Sequence, residues 1–337
     1  MRWGSGTISF ETMEEMKRIR MLTAIVWASL SLCLPLWAQH HTVEPIPFGD
    51  MNQWVDRQIK ESGIIGGATK HVYAIAPTAT LTDNSAYRNR GGSPWASSNV
   101  MARVMGVTKT NTSVFPEKRD SGFCARLDTR MESVKVAGLL DITVLAAGSI
   151  FLGETHEPIK GTKNPQKMIN SGITFTKRPI AVQFDYKVKM SDREKRIRAT
   201  GFGKITDVEG KDFPAVILLL QKRWEDSKGN IYAKRVGTMV VRYYASTTDW
   251  RNKVTYPILY GDITGDPAYK AYMMRLQVEE RYAVNSKGNS VPVREVAWGT
   301  ADDEPTHLIL QFTSSHGGAY VGSPGNSLWV DNVNLIY

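Results

Sequence analysis

Cysteine is nearly missing from this chain: Cys33 and Cys124 are the only two in 337 residues. No CxxC pair exists, which excludes a zinc ribbon, a dithiol redox centre and a disulfide scaffold. The chain also lacks a G-x-S-x-G nucleophile elbow, a P-loop, an H-E-x-x-H helix, an EF-hand loop and a dinucleotide fingerprint between strand and helix. Serine-hydrolase, nucleotide and zinc-hydrolase chemistry are therefore set aside. The longest apolar run, Met21 to Leu34, covers 14 residues, short of the roughly 20 that a transmembrane helix needs. Acidic residues are the scarcer sign, 33 against 42 basic ones for a net charge of +9. The basic residues are scattered, however, and dense only in Arg193 to Arg198 (REKRIR), which reads as a solvated loop rather than a phosphate track. Nucleic acid is not an expected partner.

What is present points to an exported β protein. From Met16 the sequence reads as a secretory signal: Lys17, Arg18 and Arg20, then the apolar run, Pro35, and a cleavage position after Ala38. Residues 1–38 are set aside as that signal, with Met16 a second candidate start, and 39–337 read as one domain, secreted or held in the periplasm or cell envelope. Lipid anchoring through Cys33 is the weaker alternative, because Leu32 before it is not the small residue such sites carry. Cys124 alternates with Ala125 and Leu127 and reads as a buried strand thiol.

In the segment 180–189, Ile180, Val182, Phe184, Tyr186 and Val188 alternate with Ala181, Gln183, Asp185, Lys187 and Lys189, a strand with one buried and one wet face. Val216 to Leu220 is apolar on both parities and reads as a central strand covered on both sides. Further strands are expected at 72–81, 236–244 and 308–313, between turn clusters such as 226–230 (DSKGN). In 327–337 the apolar phase slips at Asp331-Asn332, which predicts a β-bulge. One segment dissents: 266–282 opens with an N-cap Asp and a first-turn Pro, and Tyr269, Tyr272, Met273 and Leu276 have helical spacing. A helical insert is expected there, although Tyr272, Met274, Leu276 and Val278 also alternate as in a strand.

Six blocks occur in a fixed order: SPWASSN at 93–99, GFCARLDT at 122–129, AGSIFLGET at 147–155, GITFTKRPIAVQFDY at 172–186, SSHGGAYVGSPG at 314–325 and SLWVDNVNLIY at 327–337. In that order they resemble the PCMD carbohydrate-metabolism domains of Bacteroidetes, over nearly the whole exported chain. The resemblance implies a jelly-roll β-sandwich similar to carbohydrate-binding modules. A long insert around 262–305 departs from that pattern.

Under that resemblance the expected partner is a polysaccharide or oligosaccharide. Sugar recognition uses flat aromatic faces with polar groups around them, and Trp95, Trp224, Trp250 and Trp298 lie beside turn residues as candidates, while Trp54 and Trp329 read as core. A structural Ca²⁺ between Asp50 and Asp331 is a further candidate, since such modules often hold one where the last strand meets the first segment. His316-Gly317-Gly318 imitates an esterase oxyanion loop but reads as a glycine-rich connection whose turn is bonded by Ser314, Ser315 and His316. The carboxylates Glu154, Glu157, Asp185, Glu279, Glu280, Asp302, Asp303 and Glu304 select no catalytic pair by spacing. Three functions stay open: a non-catalytic glycan-binding or glycan-processing accessory protein, a glycoside hydrolase on the same fold, and a structural or adhesive surface protein.

Overall fold

The alternating segment forms the strand Ala181–Lys189, with Val182, Phe184 and Val188 fully buried on one face. Ile180 stays outside because it precedes the strand. In this computed structural model the described residues are 41–337, apart from 137–139, 162, 202, 274, 278, 279 and 301. The expected signal segment and Cys33 lie outside them. Thr42–Tyr337 forms one compact unit.

Two antiparallel sheets make the sandwich. The eight-stranded sheet runs Thr200–Gly201, Leu140–Ala147, Gly122–Val136, Ser327–Ile336, Ala181–Lys189, Arg251–Pro257, with Val43–Pro45 and Val114–Arg119 paired onto it. The ten-stranded sheet runs Ile169–Ser171, Ser149–Thr155, His307–Thr313, Ala215–Glu225, Ile231–Arg242, Ser290–Trp298, Tyr282–Val284, with three short strands alongside. Its one parallel pair joins 231–242 to 290–298. The inner faces share one core, in which Phe184 of the first sheet meets Phe312 of the second edge-on at 4.9 Å. Burying these side chains drives the sheets together, at about 25 cal/mol per Å² of apolar surface. The chain passes from one sheet to the other at Gly148, where a Cβ would come within 2.4 Å of the Ser113 carbonyl.

The phase slip in the last strand is a bulge: Gln183 faces Asn334 but Asp185 faces Asp331, so Asn332 and Val333 share one opposite residue. Asn332 sits at φ 50°, a left-handed conformation that Asn tolerates. A second bulge lies directly across Ala181–Lys189, in Arg251–Pro257. Asp185 serves both, accepting the Lys253 N–H at 2.6 Å and the Asn332 amide at 2.9 Å.

The helix expected over 266–282 does not form among its described residues. The N-cap chemistry at Asp266 is real, but it closes an Asx turn onto the Ala268 N–H. Isolated i to i+3 bonds follow at Tyr269 and Met273. Farther on, the Gln277 carbonyl accepts from Glu295 N–H and the Arg281 carbonyl from Val293 N–H. Docking of extended backbone against the 290–298 strand therefore wins over a short apolar stripe with no groove to fill.

Cys124 is buried on Gly122–Val136, donates to the Glu117 carbonyl, and burial pushes its thiol up to about 12.

Candidate functional site

Strand alternation along Ala215–Glu225 builds two different surfaces on the ten-stranded sheet. Val216, Leu218 and Leu220 enter the sandwich core. The other parity points outward, and its residues change from Ala215, Ile217 and Leu219 to Gln221, Arg223 and Glu225. The apolar half lies beneath a cleft and the polar half leads to a pocket.

The pocket, about 590 Å³, opens where two strands part. Ser149–Thr155 pairs with His307–Thr313 only as far as Phe151 opposite Gln311, after which Ile173–Thr174 takes its place beside Leu308 and His307. Asn89, Glu154, Asn170, Arg223, Trp224, Glu225 and His307 line the gap. The Asn89 amide donates to the Ser93 and Gly153 carbonyls. Arg223 donates to the Gln221 side chain at 2.7 Å and to the Ser171 carbonyl at 2.9 Å. Burial, then the nearby Arg281 charge, lower Arg223 to about 9. Burial and Arg223 lower His307 to about 4, so it is neutral at physiological pH. Glu225 is held below the usual carboxylate range by hydrogen bonds from the Ser286 hydroxyl and N–H. Trp224 is 43% exposed and its ring stacks on Tyr232 at 5.9 Å.

A buried polar chain runs from this pocket toward the cleft. Gln221 donates to Glu295 at 2.6 Å, and Glu295 forms a fully buried ion pair with Arg235. Glu295 also accepts the Gln277 N–H at 2.7 Å, the Gln277 side chain accepts from Arg281, and Arg281 donates to Gln311 on the cleft floor at 3.1 Å.

Of the four candidate tryptophans, Trp224 lines this pocket. Trp95 is 1% exposed, its indole N–H bonded to the Pro47 carbonyl in the sandwich core, so no surface ligand reaches it. Trp250 is half-buried on the opposite sheet, stacked on the Arg119 guanidinium at 3.8 Å. Trp298 is half-buried over the buried Arg235. Trp54 is core as expected, but Trp329 is half-exposed on the outer face of its sheet, bonded to Glu117 and covered by Lys187.

The calcium pairing of Asp50 with Asp331 is not formed. Asp50 is exposed and bonds Asn52, whereas Asp331 and Asp185 share the Arg119 guanidinium at 2.8 and 2.9 Å. That guanidinium supplies the positive charge a cation would have brought, and no group of three or more metal-type side chains occurs among the described residues. Burial outweighs Arg119 at Asp331 and raises it to about 6. His316-Gly317-Gly318 is the connection expected: Asp212 gathers Ser315, His316, Ser323 and Asn326 around it, and a Cβ on Gly317 would meet the Val321 carbonyl at 2.2 Å.

Fold and surface together define an all-β sandwich protein with a concave cleft and a polar pocket along one sheet. Residues 70–336 match the family model PCMD, "putative carbohydrate metabolism domain", and the chain belongs to that family. Among solved structures it is similar to one from Bacteroides thetaiotaomicron described as a "putative glycoside hydrolase", at 19% identity and TM-score 0.43, covering 81% of this chain and 76% of that one. No curated protein matches.

The sequence reading missed Asn89, Asn170, Arg223 and His307. Arg223 alone had a signal, the abrupt change from VILLL to QKRWE within one strand; Asn89, Asn170 and His307 had none, and their convergence on Arg223 needed the divergence of two other strands.

Proposed function

We propose that the protein is an exported carbohydrate-binding accessory protein whose pocket beside Trp224 takes a sugar unit of a polysaccharide or oligosaccharide. The observation that carries this is an exposed indole, braced on Tyr232, that borders a pocket lined by amide, carboxylate, guanidinium and imidazole groups; by strand alternation the ring leaves the strand on the side opposite to Arg223 and Glu225 and so flanks them. An aromatic face takes the C–H side of a pyranose while planar polar groups pair with its hydroxyls. Glu154 is exposed and has no hydrogen-bond partner among the described residues, which leaves its carboxylate free to accept from sugar hydroxyls. Family membership supports the carbohydrate part of this reading. Binding is favoured over hydrolysis at Glu225, because the Ser286 hydrogen bonds lower its carboxyl, the reverse of the raised pKa that a glycosidase general acid needs.

One observation favours hydrolysis: burial raises Glu132, which lines the cleft together with Glu280. Glu132 is, however, already engaged by Arg130 at 3.2 Å. Export rests on residues 1–38 and is checked by the mass of the mature N-terminus, expected at Gln39.

The functional test is retention on a panel of polysaccharide affinity gels, with released reducing ends read in the same incubations. Retention without release, weakened at least ten-fold by Trp224→Ala, is expected. Release abolished by Glu132→Gln would replace this reading with the hydrolytic one, and retention untouched by Trp224→Ala would remove the pocket from it.

A further inference from the structure

The cleft on the same sheet has a volume of about 800 Å³, in the range of about 300–1,000 Å³ that holds small organic ligands. Its floor is two cross-strand rows: Ser149, Thr313, Ala215 and Arg242, then Phe151, Gln311, Ile217 and Val240. Two hairpins form a wall over it. Val100–Val104 with Val107–Asn111 contributes Val100, Ala102, Val104 and Val107, and the far end of Gly122–Val136 with Leu140–Ala147 contributes Val134, Ile142 and Val144. Ile159, Met168 and Ile169 continue the aliphatic lining, and no tryptophan takes part. Such a surface offers a pyranose few partners for its hydroxyls, and it suits a hydrocarbon chain.

The charges in the cleft are unbalanced in one place. Glu132 has Arg130, Glu280 has Arg275, and Lys109 has Glu61. Arg242 and Arg281 have no carboxylate within ion-pair distance among the described residues: Arg242 lies over the Tyr272 ring at 5.1 Å, and Arg281 donates to the neutral side chains of Gln277 and Gln311. Burial is the main influence on both guanidiniums and lowers them, Arg281 to about 10. Glu295 and Glu280 act on Arg281, and Asp212 on Arg242, only from beyond ion-pair distance, so among the described residues neither guanidinium is in direct contact with a carboxylate, a place that an anionic ligand group can take.

We infer that this cleft is a second ligand site, for a single-chain amphiphile with an anionic head, its hydrocarbon chain on the aliphatic floor and wall and its head against Arg242 and Arg281. The inference goes beyond the carbohydrate reading and does not depend on it.

The test titrates the full-length protein by calorimetry with decanoate and dodecanoate below their critical micelle concentrations and with dodecanol below its aqueous solubility limit. One saturable site is expected, tightening about four-fold per added methylene. The double variant Arg242→Ala/Arg281→Ala should weaken dodecanoate at least ten-fold and leave dodecanol unchanged. Ile217→Trp fills the floor and Ala102→Trp fills the hairpin wall; each should abolish binding, and the second lies outside the sandwich core should the first disturb folding. Absence of a saturable site, or binding that survives both fills, overturns the site, and dodecanol binding as tightly as dodecanoate overturns the anionic head. Trp224→Ala should leave dodecanoate binding intact, so failure of this inference is read separately from failure of the sugar site.

Discussion

The two ends of Ala215–Glu225 lie on one strand and share one outward face, yet they build opposite surfaces. At the Ala215 end the outward side chains are aliphatic and roofed by hairpins. At the Glu225 end they are polar and reach a gap between diverging strands. The inner face is a single packed core along the apolar half, so sandwich stability does not distinguish the surfaces. The lesson is that an outward face which need not join the core is free to be chemically graded, and this one is graded within 11 residues.

The largest expected effect breaks the polar chain that runs between the two surfaces. Glu295→Gln removes the carboxylate that Arg235, Gln221 and Gln277 all use, and should destabilise the protein by about 3–5 kcal/mol. Urea unfolding monitored by tryptophan fluorescence measures it, and a loss under about 1 kcal/mol would show the pair to be dispensable.

The next prediction sharpens the contrast between the faces. Leu218→Ala, in the core, should cost about 2–5 kcal/mol, and Ile217→Ala, half-buried on the cleft floor, well under half as much. Equal losses in the same unfolding assay would mean that the cleft is packed interior.

The polar end should also carry a pH signature. His307 in the folded protein titrates near 4, below its ordinary 6.5, so the unfolded chain takes up the proton first. Its contribution is present above pH 6.5 and is lost as pH falls toward 4. Asp331, raised to about 6 from 3.8, acts in the opposite direction below pH 6, so the informative curve is wild type against His307→Gln. Thermal midpoints from pH 8 to 4 should fall less steeply in the variant, and parallel curves would contradict the assignment.

The smallest expected effect is on stability at Trp224. Its ring is exposed, so Trp224→Ala should shift stability by no more than about 0.5 kcal/mol even where sugar binding is lost. A larger loss in thermal unfolding would recast this residue as a packing element.

Much of the fold was legible in the sequence because strand periodicity is local. Val182, Phe184 and Val188 announced their buried face, and the slipped phase at Asp331-Asn332 announced a bulge, since an extra residue reverses every later side chain. Val216 to Leu220 was rightly read as covered on both sides, but one of the covers is a cleft. The helical reading of 266–282 failed because Asp266 and its following Pro specify how a turn begins, while the partner that decides its continuation, the 290–298 strand, is remote.

The tryptophans mark the boundary between the two kinds of information. Composition and alternation point to an all-β chain rich in aromatic strands, and six ordered blocks carry its kinship and with it the sandwich. Which indole faces solvent depends on what packs against it from elsewhere in the chain. Trp95 is sealed against Phe312 and the Pro47 carbonyl, whereas Trp224 stacks on Tyr232 and stays 43% exposed. Likewise Asp331 found a guanidinium from a different strand rather than Asp50. Side-chain periodicity follows from backbone geometry over a few residues, whereas burial, charge pairing and the shape of a cavity arise from segments a hundred or more residues apart, brought together only when both sheets close on their shared core.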